Sequence, residues 1–198
     1  MQPIWYGDRR DRVKWGGLIH IAEQNNIVNI VQVAYYRDDA HPVLNCNDGE
    51  FPIPKAVWEH FSDLSHILTL GQATGINIEV IDRPFRPNHR PEYIASVLEK
   101  LRHVGSPKIV FFDPDTGIAP KVPKPEHVTV QDLHDVWNGL QIDDILVVYQ
   151  HAAHSQTWAD GPIMKLSQAC GNETVRKITS TGVAADVALL WCKKRGAC

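Results

Sequence analysis

Two carboxylates one proline apart, in Asp113-Pro114-Asp115-Thr116-Gly117, follow the apolar run Ile109-Val110-Phe111-Phe112. A glutamine and a histidine, Gln150-His151, follow a second run, Ile145-Leu146-Val147-Val148-Tyr149, with His154 three residues further on. Pro114 fixes its own φ and removes an amide donor, and Gly117 permits a positive φ, so the first motif reads as a tight, exposed turn carrying Asp113 and Asp115. A turn of this kind can also be no more than a strand-to-loop connection in which Asp115 bonds local amides. The matching position of His151 adds chemistry to it. Beside Asp113 or Asp115, His151 can act as a general base or give a nitrogen to a metal. On a helical turn His151 and His154 would share one side, although no glutamate completes an H-E-x-x-H arrangement. Asp113, Asp115 and His151 are thus the candidate catalytic residues, and Thr116, Gln150 and His154 the candidate substrate contacts.

Cations gather in two other places. The N-terminal stretch holds Asp8, Arg9, Arg10, Asp11, Arg12 and Lys14. It can be a solvated, salt-bridged first turn. Alternatively, Lys14, one turn after Arg10 and beside Gly16-Gly17, faces an anionic ligand, with Asp8 and Asp11 as neighbours in a cofactor-binding group. Arg83, Arg86 and Arg90 follow another short apolar segment and could meet phosphate groups in the same crevice.

The elements that must position these residues follow from periodicity. Asp8 is placed to cap a helix from about Arg9, whose stripe is Val13, Leu18, Ile21 and Ala22. Gly16-Gly17 inside it suggests close approach to another backbone or a ligand. Residues 27–36 read as a strand, and 37–54 as a loop. Val57, Phe61, Leu64 and Leu68 mark a helix that Gly71 should end. Further strands are expected at 76–81, 108–112, 145–149, 175–179 and 186–191. Helices are expected after Pro91, at 131–140 and near 158–169. Strands alternating with helices predict one α/β domain over residues 1–198, with a mostly parallel, Rossmann-like sheet covered by helices on both faces. Ligands of such sheets bind outside the carboxyl ends of the strands, where Asp113 and His151 should lie on one rim.

Composition sets the limits. A chain of 198 residues, 43% hydrophobic and 22% charged, can bury a core without staples. The net charge of −3 argues against coating nucleic acid by bulk potential, though a local basic groove remains open. Cys46, Cys170, Cys192 and Cys198 form no close pair, which suits free thiols in a reducing cytoplasm. No apolar run approaches the ~20 residues of a membrane span, and the first ten residues lack a signal-peptide core.

The order of the motifs resembles that of class I methyltransferases of the adenine-N6 type. In these, an Asp-x-x-Lys helix, matched here by Asp11-Arg12-Val13-Lys14, precedes the first strand. A later strand ends in Asp-Pro-Pro-Tyr, matched in part by Asp113-Pro114-Asp115-Thr116. The fuller pattern, Tyr6-Gly7-Asp8 through Lys14-Trp15, Phe112 to Ile118 and Val148 to His151, is similar to an uncharacterised family of bacterial and phage proteins. The methyltransferase resemblance implies S-adenosylmethionine as cofactor, with Lys14 near it. It also implies a nucleic acid or nucleotide as substrate, its exocyclic amine bonded by Asp113 and the Pro114 carbonyl. Two other readings stand beside it. One is a phosphohydrolase or nuclease holding a divalent metal on Asp113, Asp115 and His151. The other is a nucleotide-binding protein without catalysis.

Overall fold

The computed structural model describes residues 9–36, 43–46, 49–52, 66–120, 122–125, 127–152 and 157–196. Its centre is a six-stranded sheet. In chain order the strands are β1 (Asn29–Val33), β4 (Asn77–Ile81), β5 (Lys108–Phe112), β8 (Ile145–His151), β9 (Arg176–Ser180) and β10 (Ala184–Lys193). In space they run β4-β1-β5-β8-β10-β9. β4, β1, β5 and β8 are parallel neighbours, and β10 alone runs antiparallel, between β8 and β9. The remaining strands are short: a hairpin of β2 (Val43–Cys46) with β3 (Gly49–Pro52), and a two-residue ladder of β6 (Gly117–Ile118) with β7 (His127–Val128).

The middle strands read as unbroken apolar runs because both faces are covered, and every residue of β5 is buried. On one face, α1 (Arg9–Asn25) and α2 (His66–Thr74) pack on Ile30, Phe111, Ile145, Val147 and Leu189. On the other, α3 (Arg90–Arg102), α4 (Val130–Gly139) and α5 (Asp160–Ala169) pack on Val31, Val33, Phe112, Val148 and Leu190. This is the expected α/β, Rossmann-like arrangement. Helical connections leave β1 toward β4 and leave β5 toward β8, so the chain direction reverses between β1 and β5. A crevice at such a reversal is where open α/β sheets take ligands.

Several local expectations change. α2 does not end at Gly71. It runs on to Thr74, and Gly75, at φ +71°, makes the left-handed stop. Gly71 is needed inside the helix because a Cβ there would lie 2.6 Å from the Ile76 carbonyl. Leu68, placed in the buried stripe by its spacing, is 46% exposed, and Ile67 is buried instead. Val57, Phe61 and Leu64 lie outside the described residues. Gly17 does meet a close neighbour, but that neighbour is the Leu189 side chain, 2.6 Å from where a Cβ would stand, and not a backbone or ligand. Among the described residues no helix is long and apolar enough to cross a membrane.

Candidate functional site

The parallel register of β5 and β8 pairs Phe112 with Val148, so Asp113 stands level with Tyr149 and His151 two residues beyond. With about 4.8 Å between strands and 3.3 Å per residue, their Cα atoms lie roughly 8 Å apart. Asp113 and His151 share the carboxyl rim. The turn between them is tied directly to β8, since the His151 amide donates to the Thr116 carbonyl at 3.1 Å. Gln150 secures the same turn. Its Oε1 accepts from the Ile118 amide at 2.9 Å, and its Nε2 donates to the Thr116 and His151 carbonyls at 3.1 and 3.0 Å. Gly117 takes φ +110°, and a Cβ there would fall 2.4 Å from Gln150 Oε1, so glycine is required twice over. Gln150 therefore spends its amide on the turn and is buried. Asp115 and Thr116 are half-exposed at the rim.

Asp113 differs from the sequence expectation: it is 1% exposed. Alternation along the strands puts Gln32, Asp113 and Tyr149 on the sheet face covered by α1. Lys14 reaches Asp113 from that helix at 2.9 Å and Asp11 at 3.0 Å, and its ammonium sits 4.4 Å over the Tyr149 ring. Gln32 Nε2 donates to the other Asp113 oxygen at 2.9 Å. A charge-rich motif that sequence reads as surface is thus roofed by a helix. Burial works against the Lys14 charge, but the Asp113 and then the Asp11 carboxylates outweigh it and hold its pKa well above the ordinary lysine range. The Tyr149 hydroxyl is pushed up by burial, with Lys14 pulling the other way.

One turn before Lys14, Arg10 reaches a carboxylate that sequence reasoning passed over. Arg10 Nε and Nη2 donate to Asp186 Oδ2 at 3.0 and 2.5 Å. The same oxygen stands 3.4 Å from His151 Nε2, while His151 Nδ1 lies 3.2 Å from the Ala152 carbonyl. His151 is paired with Asp186 of β10, and not with Asp113 or Asp115. The Arg10 hydrogen bonds hold the Asp186 carboxyl below its usual range.

The three arginines separate. Arg90 is committed to structure. It ion-pairs with Asp132, donates to the His127 carbonyl at 3.3 Å and stacks 4.7 Å over Phe85. Asp132 also accepts from Tyr35 Oη and closes a reciprocal cap with Thr129 at the start of α4. Arg83 and Arg86 are exposed and, with His89, Glu92 and Tyr93, line a cavity of about 390 Å³ beyond the end of β4. Asp8 and His154 lie outside the described residues. Among the described residues no three His, Cys, Asp or Glu side chains converge as a metal site would need.

A nucleoside cofactor needs a partner for its ribose diol and a close turn after β1. Asp82, exposed and immediately after β4, is an acceptor of the kind a ribose diol takes. The stretch Val33 to Tyr36 has no glycine, yet Tyr35 adopts φ +48°, the left-handed turn glycine usually makes. Its ring is turned into the core against Phe85, Tyr93 and Phe112, so it does not stand on the rim. These residues fit the nucleoside half of S-adenosylmethionine. Asp82 had escaped notice as one acidic residue in a loop, although its place directly after an apolar strand was the same signal that marked Asp113.

No protein-family model matches this chain, and no curated protein matches it. Solved structures resemble it in shape. One, from Thermobifida fusca and provisionally assigned as a methyltransferase, has 11% identity and a TM-score of 0.48 over 95% of this chain and 81% of its own. Another, a release-factor-specific protein-(glutamine-N5) methyltransferase from Alicyclobacillus acidocaldarius, has 12% identity and a TM-score of 0.41 over 96% of both chains. A DUF574 family protein from Streptomyces avermitilis has 11% identity and a TM-score of 0.41 over 94% and 82%.

Proposed function

We propose that this chain is a methyltransferase-like enzyme acting on a nucleotide or nucleic acid, with its chemistry at the carboxyl rim of β5 and β8. The observation that carries this reading is the hydrogen bond from the His151 amide to the Thr116 carbonyl. It ties the turn after β5 to the strand that bears the histidine, so a substrate bound over Asp115 and Thr116 would lie beside His151. Asp82 would hold the cofactor ribose, and Arg83 and Arg86, exposed near the same edge, would meet phosphate groups.

When bound, S-adenosylmethionine supplies an electrophilic methyl group. The substrate nitrogen or oxygen that gains the methyl loses a proton, which a rim side chain, the half-exposed Asp115 or His151, would take. His151 Nδ1 lies 3.2 Å from the Ala152 carbonyl and Nε2 3.4 Å from Asp186 Oδ2, so a proton gained by the ring would sit against an acceptor. Asp113 acts from below: paired with Lys14 and Gln32, it fixes the floor on which the turn sits.

The test is a thermal-shift titration with S-adenosylmethionine and S-adenosylhomocysteine, on the parent protein and on Asp82→Ala. At a hundredfold excess over Kd a ligand adds about 2.7 kcal/mol. For a chain of this length that is a rise in Tm of roughly 5–10 °C. The reading expects this rise in the parent, its loss in Asp82→Ala, and transfer of labelled methyl to at least one of mononucleotides, DNA or RNA. Stabilisation by nucleotides alone, with neither cofactor nor transfer, would replace it with a binding protein.

A further inference from the structure

We propose that the cavity beyond β4 is a subsite for a backbone phosphate of a nucleic-acid strand, separate from the rim where that strand would be modified. This deepens the reading above, and rests on it only for the reaction at the rim.

The cavity, of about 390 Å³, is lined by Arg83, Pro84, Arg86, His89, Glu92 and Tyr93. Elsewhere in the chain Arg10, Arg90 and Arg102 are each paired with a carboxylate, and Arg176 lies over the Trp191 ring. Arg83 and Arg86 are exposed, and among the described residues neither has a hydrogen-bond or ion-pair partner. The loop that carries them is nevertheless held firmly, around Phe85. That ring is buried, with centroids 4.7 Å from Tyr35 and 5.2 Å from Tyr93. The Phe85 amide donates to the Tyr36 carbonyl at 2.7 Å and ties the loop to the chain leaving β1. Pro84 and Pro87 restrict the backbone on either side, and the His89 amide donates to the Arg86 carbonyl at 2.9 Å. The two arginines thus flank a buried anchor. A ligand that meets both guanidiniums finds their backbones already ordered.

The charge of the cavity suits an anion. Two guanidiniums face one acid, Glu92, which stands 4.0 Å from His89 Nδ1, so the lining is net positive even with His89 neutral. Asp82 lies outside that lining. His89 makes no side-chain cap on α3, which leaves the positive end of the helix open beside the arginines. Guanidinium forks match phosphate oxygens in shape as well as charge.

The position of the cavity decides which phosphate it takes. β4 is an outer strand of the sheet, two strand spacings from β5 and three from β8. At about 4.8 Å each, cavity and rim are roughly 10–14 Å apart. Phosphates of a stacked strand recur about every 3.4 Å along its axis, so this span covers roughly three or four nucleotides, and fewer in an extended strand. The phosphate in the cavity therefore belongs to a neighbour of the nucleotide at the rim. A nucleoside monophosphate seated at the rim is expected to bind without the arginines.

The experiment measures fluorescence anisotropy of labelled single-stranded RNA and DNA decamers between 50 and 200 mM salt, with nucleoside monophosphates as competitors. The proteins are the parent, the double variants Arg83→Gln with Arg86→Gln and Arg83→Lys with Arg86→Lys, and Arg102→Gln. The last removes an exposed cation from the far end of α3, roughly 18 Å away. Each phosphate contact to a single strand contributes about 0.7 to the fall of log K with log salt. The glutamine pair should therefore lose about 1.4 of that slope and bind roughly tenfold or more weakly at 50 mM salt. The lysine pair should keep the slope, and Arg102→Gln should behave as the parent. Melting curves should stay parent-like throughout, since neither Arg83 nor Arg86 gives up a partner. Binding of either strand in this manner supports the subsite. Equal slopes in the parent and the glutamine pair would overturn it, as would a parent that binds neither strand. A glutamine pair that loses monophosphate affinity as steeply as strand affinity would also refute it, because the cavity would then hold the nucleotide's own phosphate. If the arginines carry strand binding while S-adenosylmethionine neither binds nor yields its methyl group, the reaction assigned to the rim fails and the subsite stands.

Discussion

Replacing Lys14 by methionine removes a buried ammonium while nearly preserving the shape of its stem. Lys14 is 8% exposed and pairs with Asp113, at 1%, and Asp11, at 6%. After the exchange the two buried carboxylates lose the ammonium they share. Breaking one partner out of a buried pair costs about 3–5 kcal/mol, because the charge left behind stays desolvated. At roughly 2–4 °C per kcal/mol for a chain of this length, Lys14→Met should lower Tm by about 6–20 °C. Urea unfolding at pH 7 measures the free-energy difference directly, as a lower midpoint at unchanged slope. The sign with pH is also fixed. Lys14 keeps its charge across the working range, since its folded pKa is raised and its contribution is lost only as pH climbs through that raised value. Adding Asp113→Asn to Lys14→Met should restore part of the loss, a coupling that independent surface residues do not show. A Lys14→Met protein within 1 kcal/mol of the parent at pH 7 would refute the account of Asp113 as a buried, helix-roofed charge.

Further outcomes can be read from melting curves and rates. Gly117→Ala forces a side chain onto φ +110° and into Gln150, so it should cost about 1–3 kcal/mol and disorder the Thr116–His151 link, lowering turnover as well. Asp132→Ala strips a buried partner from Arg90 and Tyr35 and the cap from α4, a loss of about 3 kcal/mol or more that should leave cofactor binding intact. Asp186 has a depressed folded pKa, so its pairing with Arg10 stabilises the fold above the unfolded value near 4 and is lost as pH falls through the folded one. Arg10→Gln should therefore narrow the stability gap between pH 6 and pH 3, a small effect because the pair is about a third exposed.

Much of the fold was legible because its signals are local. The runs at Ile109–Phe112 and Ile145–Tyr149 announced central parallel strands, and Pro91 and the stripe from Ile94 to Leu101 marked α3. What escaped depends on partners distant in sequence. Nothing in 186–191 says that this strand runs antiparallel between two others, because alternation has the same period in either direction. The stop of α2 was misplaced for a different reason. Gly71 has the residue type of a helix terminator, but it is there to admit the Ile76 carbonyl, and only Gly75 has the left-handed backbone a terminator needs.

The site shows the same division. An abrupt change from apolar run to polar residues located Asp113 and His151, since that change marks where a strand meets the sheet rim. The pattern could not tell a carboxylate facing solvent from one facing a helix. Asp113 and Asp115 are both rim residues by sequence, yet Asp113 continues the alternation of β5 and falls under α1, while Asp115 lies in the turn beyond the strand, at the edge. Asp186 gave no clear signal, since it lies near the start of a strand and not where a strand gives way to polar residues. Arg10 was legible as a cation but not as a partner, because positions 176 apart in sequence meet only when α1 and β10 pack. Finding a rim histidine from its own strand is thus easier than finding what lies beside it. Its carboxylate neighbour belongs to another strand, and the cation paired with that carboxylate belongs to α1, far away in sequence.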